Sequence, residues 1–358
     1  MPALFAIATL APLLPLVLGL LLGGWWVVAA ALSMTVVVGG LDLLVRIALP
    51  ATPEEVEFPA GPTLSVAIGV AQLGLICLAV ACLAGPGLTF AGKAVLLYTS
   101  TLWIGQVGNS NAHELIHRPQ TWLRRFGTLL FVSVLYGHHA SAHPKVHHRH
   151  VATPNDPATA RLGESVYAYF PRAWIGGFRA GRAAERRLLE SRYGAAWWKH
   201  DPYLFYAGGA VVFPAAALIL FGPAGLLWYI VLSALSQMQL LISDYVQHYG
   251  LTRSIRDDGK PEPVGPAHSW NAPHWYSGAM MLQAPRHSDH HAHPARPFNH
   301  LSLPPKSEAP RLPYSLPIMG AIAMLPTLWR RVMDRRANRW RTPLEPPTHP
   351  KALNEHVA

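Results

Sequence analysis

Leu282-Gln-Ala-Pro-Arg-His-Ser-Asp-His-His-Ala-His-Pro294 sets His287, His290 and His291 at spacings of three and one. On a helix these positions fall within about one turn, so three imidazoles can face one point. The stretch has partners elsewhere in the chain: His113 and His117 in HELIH, His143, His147 and His148 in HPKVHH, and His248 in DYVQHYGL. Nine imidazoles in four groups are too many for one ion and suit two. Without thiolates they favour zinc, copper, iron or nickel. A closed structural zinc site uses four ligands, whereas nine shared between two ions leave open positions.

The sequence between these groups is unlike that of an ordinary soluble domain. Of 358 residues, 51% are hydrophobic and only 13% charged, against roughly a quarter charged in soluble proteins. Residues 1–41, 63–92, 94–112 and 203–243 contain no Asp, Glu, Lys or Arg. A run of about 20 apolar residues crosses a bilayer core of about 30 Å. Membrane helices are therefore expected over 3–22, 25–49, 63–84, 89–110, 204–221 and 225–243, in preference to a soluble protein with buried helices. The fold class is all-α and integral to the membrane, with six transmembrane helices.

Six crossings place both termini on one side, together with every Lys and Arg except Lys93. That side also carries the histidines, and the positive-inside rule makes it the cytoplasm. The chain reads as one domain over 1–358. Segments 111–203 and 244–340 carry the histidines, Pro50–Pro62 is an acidic loop (Glu54, Glu55, Glu57), and the Pro-rich tail 341–358 is loosely ordered. Phe126–Tyr136 is apolar but too short to span, and a crossing there would separate the first two histidine groups. It is expected as a buried or re-entrant helix at the boundary. Cys77 and Cys82 both lie in one apolar run, so neither a disulfide framework nor a thiolate metal site is expected. The first apolar run lacks a basic leader and is read as a helix, not a cleaved signal. The formal charge of +10 sits in the polar segments, and no nucleic-acid partner is expected.

Each group has a competing explanation. His113-Glu-Leu-Ile-His117 alone matches a zinc-protease motif with Glu114 as general base, but such a site gives no reason for the other histidines. Otherwise Glu114 is an acceptor behind the ligands or a charge partner for Arg118. HPKVHH alone reads as a basic surface run. Near it, His138 is expected to support the ligands from behind, whereas His139 and His150 face solvent. Asp244, one turn before His248, is placed to orient it, and Asp289 to accept the second ring N–H of a ligand histidine. His268 and His274 are structural hydrogen-bonders, and His293 and His300 lie outside the ligand set. His200, His349 and His356 have no role. Trp25, Trp26, Phe90, Tyr98, Trp103, Gly105 and Gly108 either line a substrate channel or meet lipid.

HELIHR (113–118), HHRHVATPNDPATARLGES (147–165), DYVQHYGL (244–251), HSWN (268–271), RHSDHHAHPARPF (286–298) and LPTLWRRVMD (325–334) resemble the integral-membrane alkane monooxygenases, within the wider membrane desaturase–hydroxylase superfamily. The resemblance runs from about Trp103 to Asp334. It implies a cytoplasmic histidine-rich cap whose nine histidines hold two iron ions, a non-haem diiron centre. It also implies hydroxylation of a terminal alkane carbon by O₂ in a bacterial inner membrane, with electrons from rubredoxin and its reductase. No flavin or nicotinamide fingerprint and no iron–sulfur cysteines are present, and no haem is expected, so electrons come from outside the chain. The substrate is apolar and enters from membrane lipid. Ala142 and Val146 stand where the family usually has Glu and Gly, and Ala284-Pro285-Arg286 where it has Leu-Gln-Arg. These departures bear on substrate and regiochemistry. An alkyl-aromatic or fatty-acyl hydroxylase, a desaturase and a non-catalytic metal transporter are the rival readings.

Overall fold

The computed structural model describes residues 2–45 and 61–341. Arg46, the continuation of the second apolar run to Leu49, the acidic stretch with Glu54, Glu55 and Glu57, and the tail after Arg341 with His349 and His356 lie outside the described residues. The architecture is all-α; the described residues pair in β fashion only at isolated bridges, Ile255 with Pro261 and Asn271 with Arg311.

The first apolar run forms α1 (Pro2–Leu10) and α2 (Leu13–Leu22), parted at Ala11-Pro12 where proline has no N–H to continue the ladder. Gly23 and Gly24, at φ +65° and +55°, make the reversal into α3 (Trp25–Met34) and α4 (Val36–Leu44). Positive φ at both positions is where glycine is the economical residue. The third run is one continuous helix, α5 (Gly61–Ala84). The fourth begins as α6 (Phe90–Trp103), capped by the Thr89 side chain accepting from Gly92 N–H at 3.1 Å. Lys93 donates to the Gly85 carbonyl at 2.7 Å, so this cation serves the free C-terminal carbonyls of α5.

α6 does not run regularly into the first histidines. Residues Ile104–Gly108 form a π-helical turn, and only then does α7 (Asn109–Ile116) begin. Glycines at 105 and 108 let neighbours approach closely here. A Cβ on Gly105 would lie 2.2 Å from Gln239 Cβ, and one on Gly108 2.5 Å from Gln72 Oε1. α8 (Thr121–Val132) folds back on α7, with Leu130 and Phe131 buried. α9 (His139–Ala142), a second π-helical turn (His143–His147) and α10 (His148–His150) carry the next histidines.

The amphipathic α11 (Val166–Tyr193) then leads to α12 (Pro202–His248), whose 47 residues are broken at Gly222 by φ 69° and ψ −170° ahead of Pro223. The remainder holds α13 (Trp275–Met280), α14 (His287–Ala292), α15 (Leu316–Ala323) and α16 (Pro326–Trp340).

Among the described residues, four helices, Ala3–Leu22, Trp25–Leu44, Gly61–Ala84 and a stretch within Val166–His248, are long and apolar enough to cross a membrane. Polar clasps bind them: Trp103 donates to the Thr9 carbonyl at 2.8 Å, Asn109 to that of Ser236 at 2.9 Å, and Asn111 to that of Ser65 at 2.8 Å. In lipid such bonds serve where apolar burial gives no drive to associate. Asp42 near the end of α4 accepts from both Tyr276 and Ser277 N–H at 3.2 Å. One carboxylate thus ties the second apolar run to the first turn of α13.

Candidate metal centre

α7 presents His113, and His117 follows at its C-cap one turn later. The second π-helical turn carries His143 and His147 at its ends, with His148 next. His248 is the last residue of α12, and α14 supplies His287, His290 and His291. These elements converge so that the nine histidines form two groups. His113, His117, His143, His148 and His290 make one; His147, His248, His287 and His291 make the other, with ligand-capable atoms in each within 4.8 Å of one another. The groups touch, with the rings of His148 and His291 4.5 Å apart between centroids. Two pairs of consecutive residues straddle the division: His147 and His148 belong to different groups, as do His290 and His291.

The ring nitrogens test whether a metal fits. Nε2 of His143 lies 2.7 Å from that of His113 and 2.9 Å from that of His148, which lies 3.1 Å from Nε2 of His290. In the second group Nε2 of His287 lies 2.9 Å from that of His248 and 3.1 Å from that of His291. A neutral imidazole has one N–H, so nitrogens meeting two neighbours each do not form a satisfied hydrogen-bond chain. The spacing matches ligands at right angles about 2.1 Å from a shared ion, which stand roughly 3 Å apart. Nε2 of His117 and of His147 is likewise buried with no protein partner. The donor set therefore fits metal.

Protonation favours the same reading, since ligation needs neutral imidazole. Burial, and then neighbouring imidazoles, hold His143, His148, His287, His290 and His291 well below the ordinary histidine value. His147 is different. Burial alone would lower it, but Asp156, 2.8 Å from Nδ1, raises it through charge and a hydrogen bond. Asp156 is itself held by Thr159 Oγ1 at 2.7 Å and Ala158 N–H at 3.0 Å. A carboxylate behind an imidazole fixes which nitrogen points forward, here Nε2.

Asp156 is the functional residue that sequence reasoning missed. It sits in the quoted HHRHVATPNDP stretch, nine residues after His147, and its proximity depends on the turn between them. Two expected partners, Asp289 and Asp244, and one residue expected in solvent, His139, are placed differently. Asp289 binds Arg296 at 2.8 and 2.9 Å, His293 Nδ1 at 2.9 Å and Ser302 N–H at 2.7 Å. It bonds none of the nine clustered rings among the described residues and anchors the chain that follows them. Asp244 does not orient His248, whose Nδ1 has the His268 carbonyl at 3.4 Å. Asp244 instead lines a small cavity with Tyr136, His138, His139 and His147. His139, expected in solvent, is buried and stacks on both His143 and Tyr136.

His138 is buried among Tyr136, Trp174 and Phe178, outside both groups. Glu114 pairs with Arg118 at 2.6 Å and accepts from Phe298 N–H at 3.1 Å. His268 bonds Glu262 at 3.2 Å and Gly265 N–H at 2.9 Å.

The family profile for fatty acid desaturases matches residues 88–320, which include every one of these histidines. The chain belongs to the fatty acid desaturase family. Among its relatives, alkane 1-monooxygenase 2 of Pseudomonas aeruginosa is 31% identical over 89% of this chain and 88% of its own length. Alkane 1-monooxygenase 1 of Alcanivorax borkumensis is 39% identical over 64% of this chain, a match that spans 57% of that relative. The xylene/toluene monooxygenase hydroxylase component of Pseudomonas putida is 26% identical over 61% of this chain. This desaturase-family chain is a membrane protein whose histidine groups can hold metal. Its two departures around the second histidine group, Ala142 and Val146, are both buried, Ala142 against Gly181 of α11.

Proposed function

We propose that this chain is a membrane-bound, non-haem diiron monooxygenase that hydroxylates the terminal carbon of an alkane-like substrate. The observation that carries the proposal is the pair of touching all-histidine groups, five and four strong, with unpaired ring nitrogens turned inward. Relatives named alkane 1-monooxygenase support it. The histidines His113, His117, His143, His148 and His290 would hold one iron, and His147, His248, His287 and His291 the other. Bound iron supplies reductive activation of O₂, so that one oxygen atom enters a C–H bond and the other leaves as water at the cost of two electrons and two protons.

The chain's own part is ligation, orientation and exclusion of water. Asp156 keeps the proton of His147 on Nδ1. Burial keeps the remaining rings neutral and shuts out water that would divert the reaction. The helices hold the target carbon near the inward-facing nitrogens, which lowers the entropic cost of reaction.

The topology belongs to the same proposal: one domain with six crossings over the apolar runs, both termini and the histidines cytoplasmic, the substrate arriving from the inner-membrane lipid. Charge placement supports it, since Lys93 at the far end of α6 is the one basic residue on the opposite side. Electrons come from an acidic carrier, rubredoxin with its reductase, docking on the basic cytoplasmic face. Reduction rates should then fall as salt rises, and rates indifferent to ionic strength would exclude such docking.

The deciding experiment is iron analysis of the purified protein followed by turnover of octane, xylene and a fatty-acyl substrate under ¹⁸O₂. A labelled terminal alcohol from octane is expected. Labelled alcohol from xylene alone would move the assignment to alkyl-aromatic hydroxylation, and an unlabelled alkene would mean desaturation. Metal uptake without O₂ consumption would make the protein a metal carrier.

A further inference from the structure

Between α6 with its π-helical turn, the second half of α12, and α15 lies a cavity of about 190 Å³. Tyr98 and Met324 stand among its walls, and Gln106, Gln239 and Met281 line it too. Tyr98 is exposed where α6 would meet lipid. Gln106 is eight residues further on, ~12 Å along the helix axis, and seven residues before His113. The cavity therefore runs from the lipid-facing side of the bundle toward the histidines.

Its chemistry does not match a plain hydrocarbon. Gln106 is 8% exposed, and its amide makes no hydrogen bond among the described residues, with Oε1 buried and unpartnered. The π-helical turn between α6 and α7 carries this side chain. Gln239 passes against Gly105 at the same level. A buried amide without a partner is costly, the more so inside a membrane. A ligand that supplies one hydrogen-bonding group removes that cost. An alkane has none, whereas a hydroxyl both donates to an amide oxygen and accepts from an amide N–H.

We propose that this cavity binds a medium-chain primary alcohol, the product class of the reaction, with its hydroxyl on Gln106 and its chain directed toward Tyr98 and the lipid. It would be the side route by which product leaves, separate from the path by which alkane arrives. The inference rests on the hydroxylase reading above.

The test uses the iron-loaded full chain in phosphatidylcholine nanodiscs and an octan-1-ol analogue with a diazirine near its chain end. After irradiation, mass spectrometry is expected to find label on residues of the outer wall, Tyr98, Met238 or Met324. Excess octan-1-ol should suppress it about fivefold more effectively than octane, the factor expected for one net hydrogen bond. Gln106→Leu should erase that preference. Ala321→Trp, at an exposed position on the rim, should lower labelling without depending on the buried amide.

Equal suppression by octane, a preference that survives Gln106→Leu, or label confined to other helices would overturn the proposal. Octane turnover measured alongside separates the two ideas. Turnover without alcohol preference removes only the cavity assignment; alcohol preference without turnover keeps the cavity as an alcohol site and removes the hydroxylase.

Discussion

Asp156 reaches Nδ1 of His147 through a short turn whose own side chains, Thr159 among them, hold the carboxylate in place. Asp156→Asn keeps the shape but loses the charge that fixes the ring. Carboxylates behind metal-bound histidines typically contribute about 10- to 100-fold in affinity. The variant should therefore lose iron to a chelator at concentrations the parent resists, with helicity by circular dichroism unchanged; equal iron retention would show that Asp156 does not support the centre. At this scale the sequence was legible in the histidines and opaque in what stands behind them. Spacing along a helix brings His287, His290 and His291 to one side. It does not say that Asp289, between them, turns out toward Arg296 and Ser302. Asp244 is placed for a related reason: the cavity it lines is built by residues between Tyr136 and Gly177, distant segments that no local pattern reports, whereas His139 is buried against Tyr136 and His143 one turn away and against Phe131.

At the scale of elements, the apolar runs announced helices, and helices stand over them. Their interruptions were less visible. Pro12 signals the gap between α1 and α2, and Gly222-Pro223 the break in α12. Nothing marks the π-helical turn at Ile104–Gly108, because one extra residue in a turn leaves an uncharged, mixed apolar and polar stretch with no local signal of its own. Gly105 reveals its purpose only in packing, where a methyl group would meet Gln239 Cβ at 2.2 Å. Gly105→Ala should therefore push α6 and α12 apart at a cost of about 1–3 kcal/mol, the usual range for overpacking. Thermal inactivation should come at lower temperature, with iron lost in step, whereas Gly74→Ala, facing open space on α5, should change neither. If both behave alike, the close approach at residue 105 carries no weight.

Across the whole molecule, the buried imidazoles couple stability to pH. Those of His143, His148, His287, His290 and His291 titrate well below the value they have in an unfolded chain. Between the folded and unfolded values the unfolded chain binds more protons, so stability rises with pH up to about 6.5 and falls as pH drops below it. Each such group adds up to about 1.4 kcal/mol per pH unit inside that window. Metal-free protein should accordingly unfold more readily at pH 5 than at pH 7, and iron, which binds only the neutral rings, should raise the unfolding temperature at pH 7. His147 works the other way, because its partner Asp156 favours the charged ring. A flat unfolding temperature between pH 7 and 5 for the metal-free protein would mean that the rings open to water before they titrate.

The two histidine groups have no freedom from each other. His147 and His148 are joined by one peptide bond, His290 and His291 by another, and each bond runs from one group to the other. Adjacent Cα atoms sit about 3.8 Å apart, so the backbone acts as a yoke of two short rigid links. An iron seated among His113, His117, His143, His148 and His290 would draw five residues into place and thereby ready two of the other four, His147 and His291. Ferrous iron should then load in a sigmoidal isotherm with little half-filled protein at any point, and a chelator should strip both ions together.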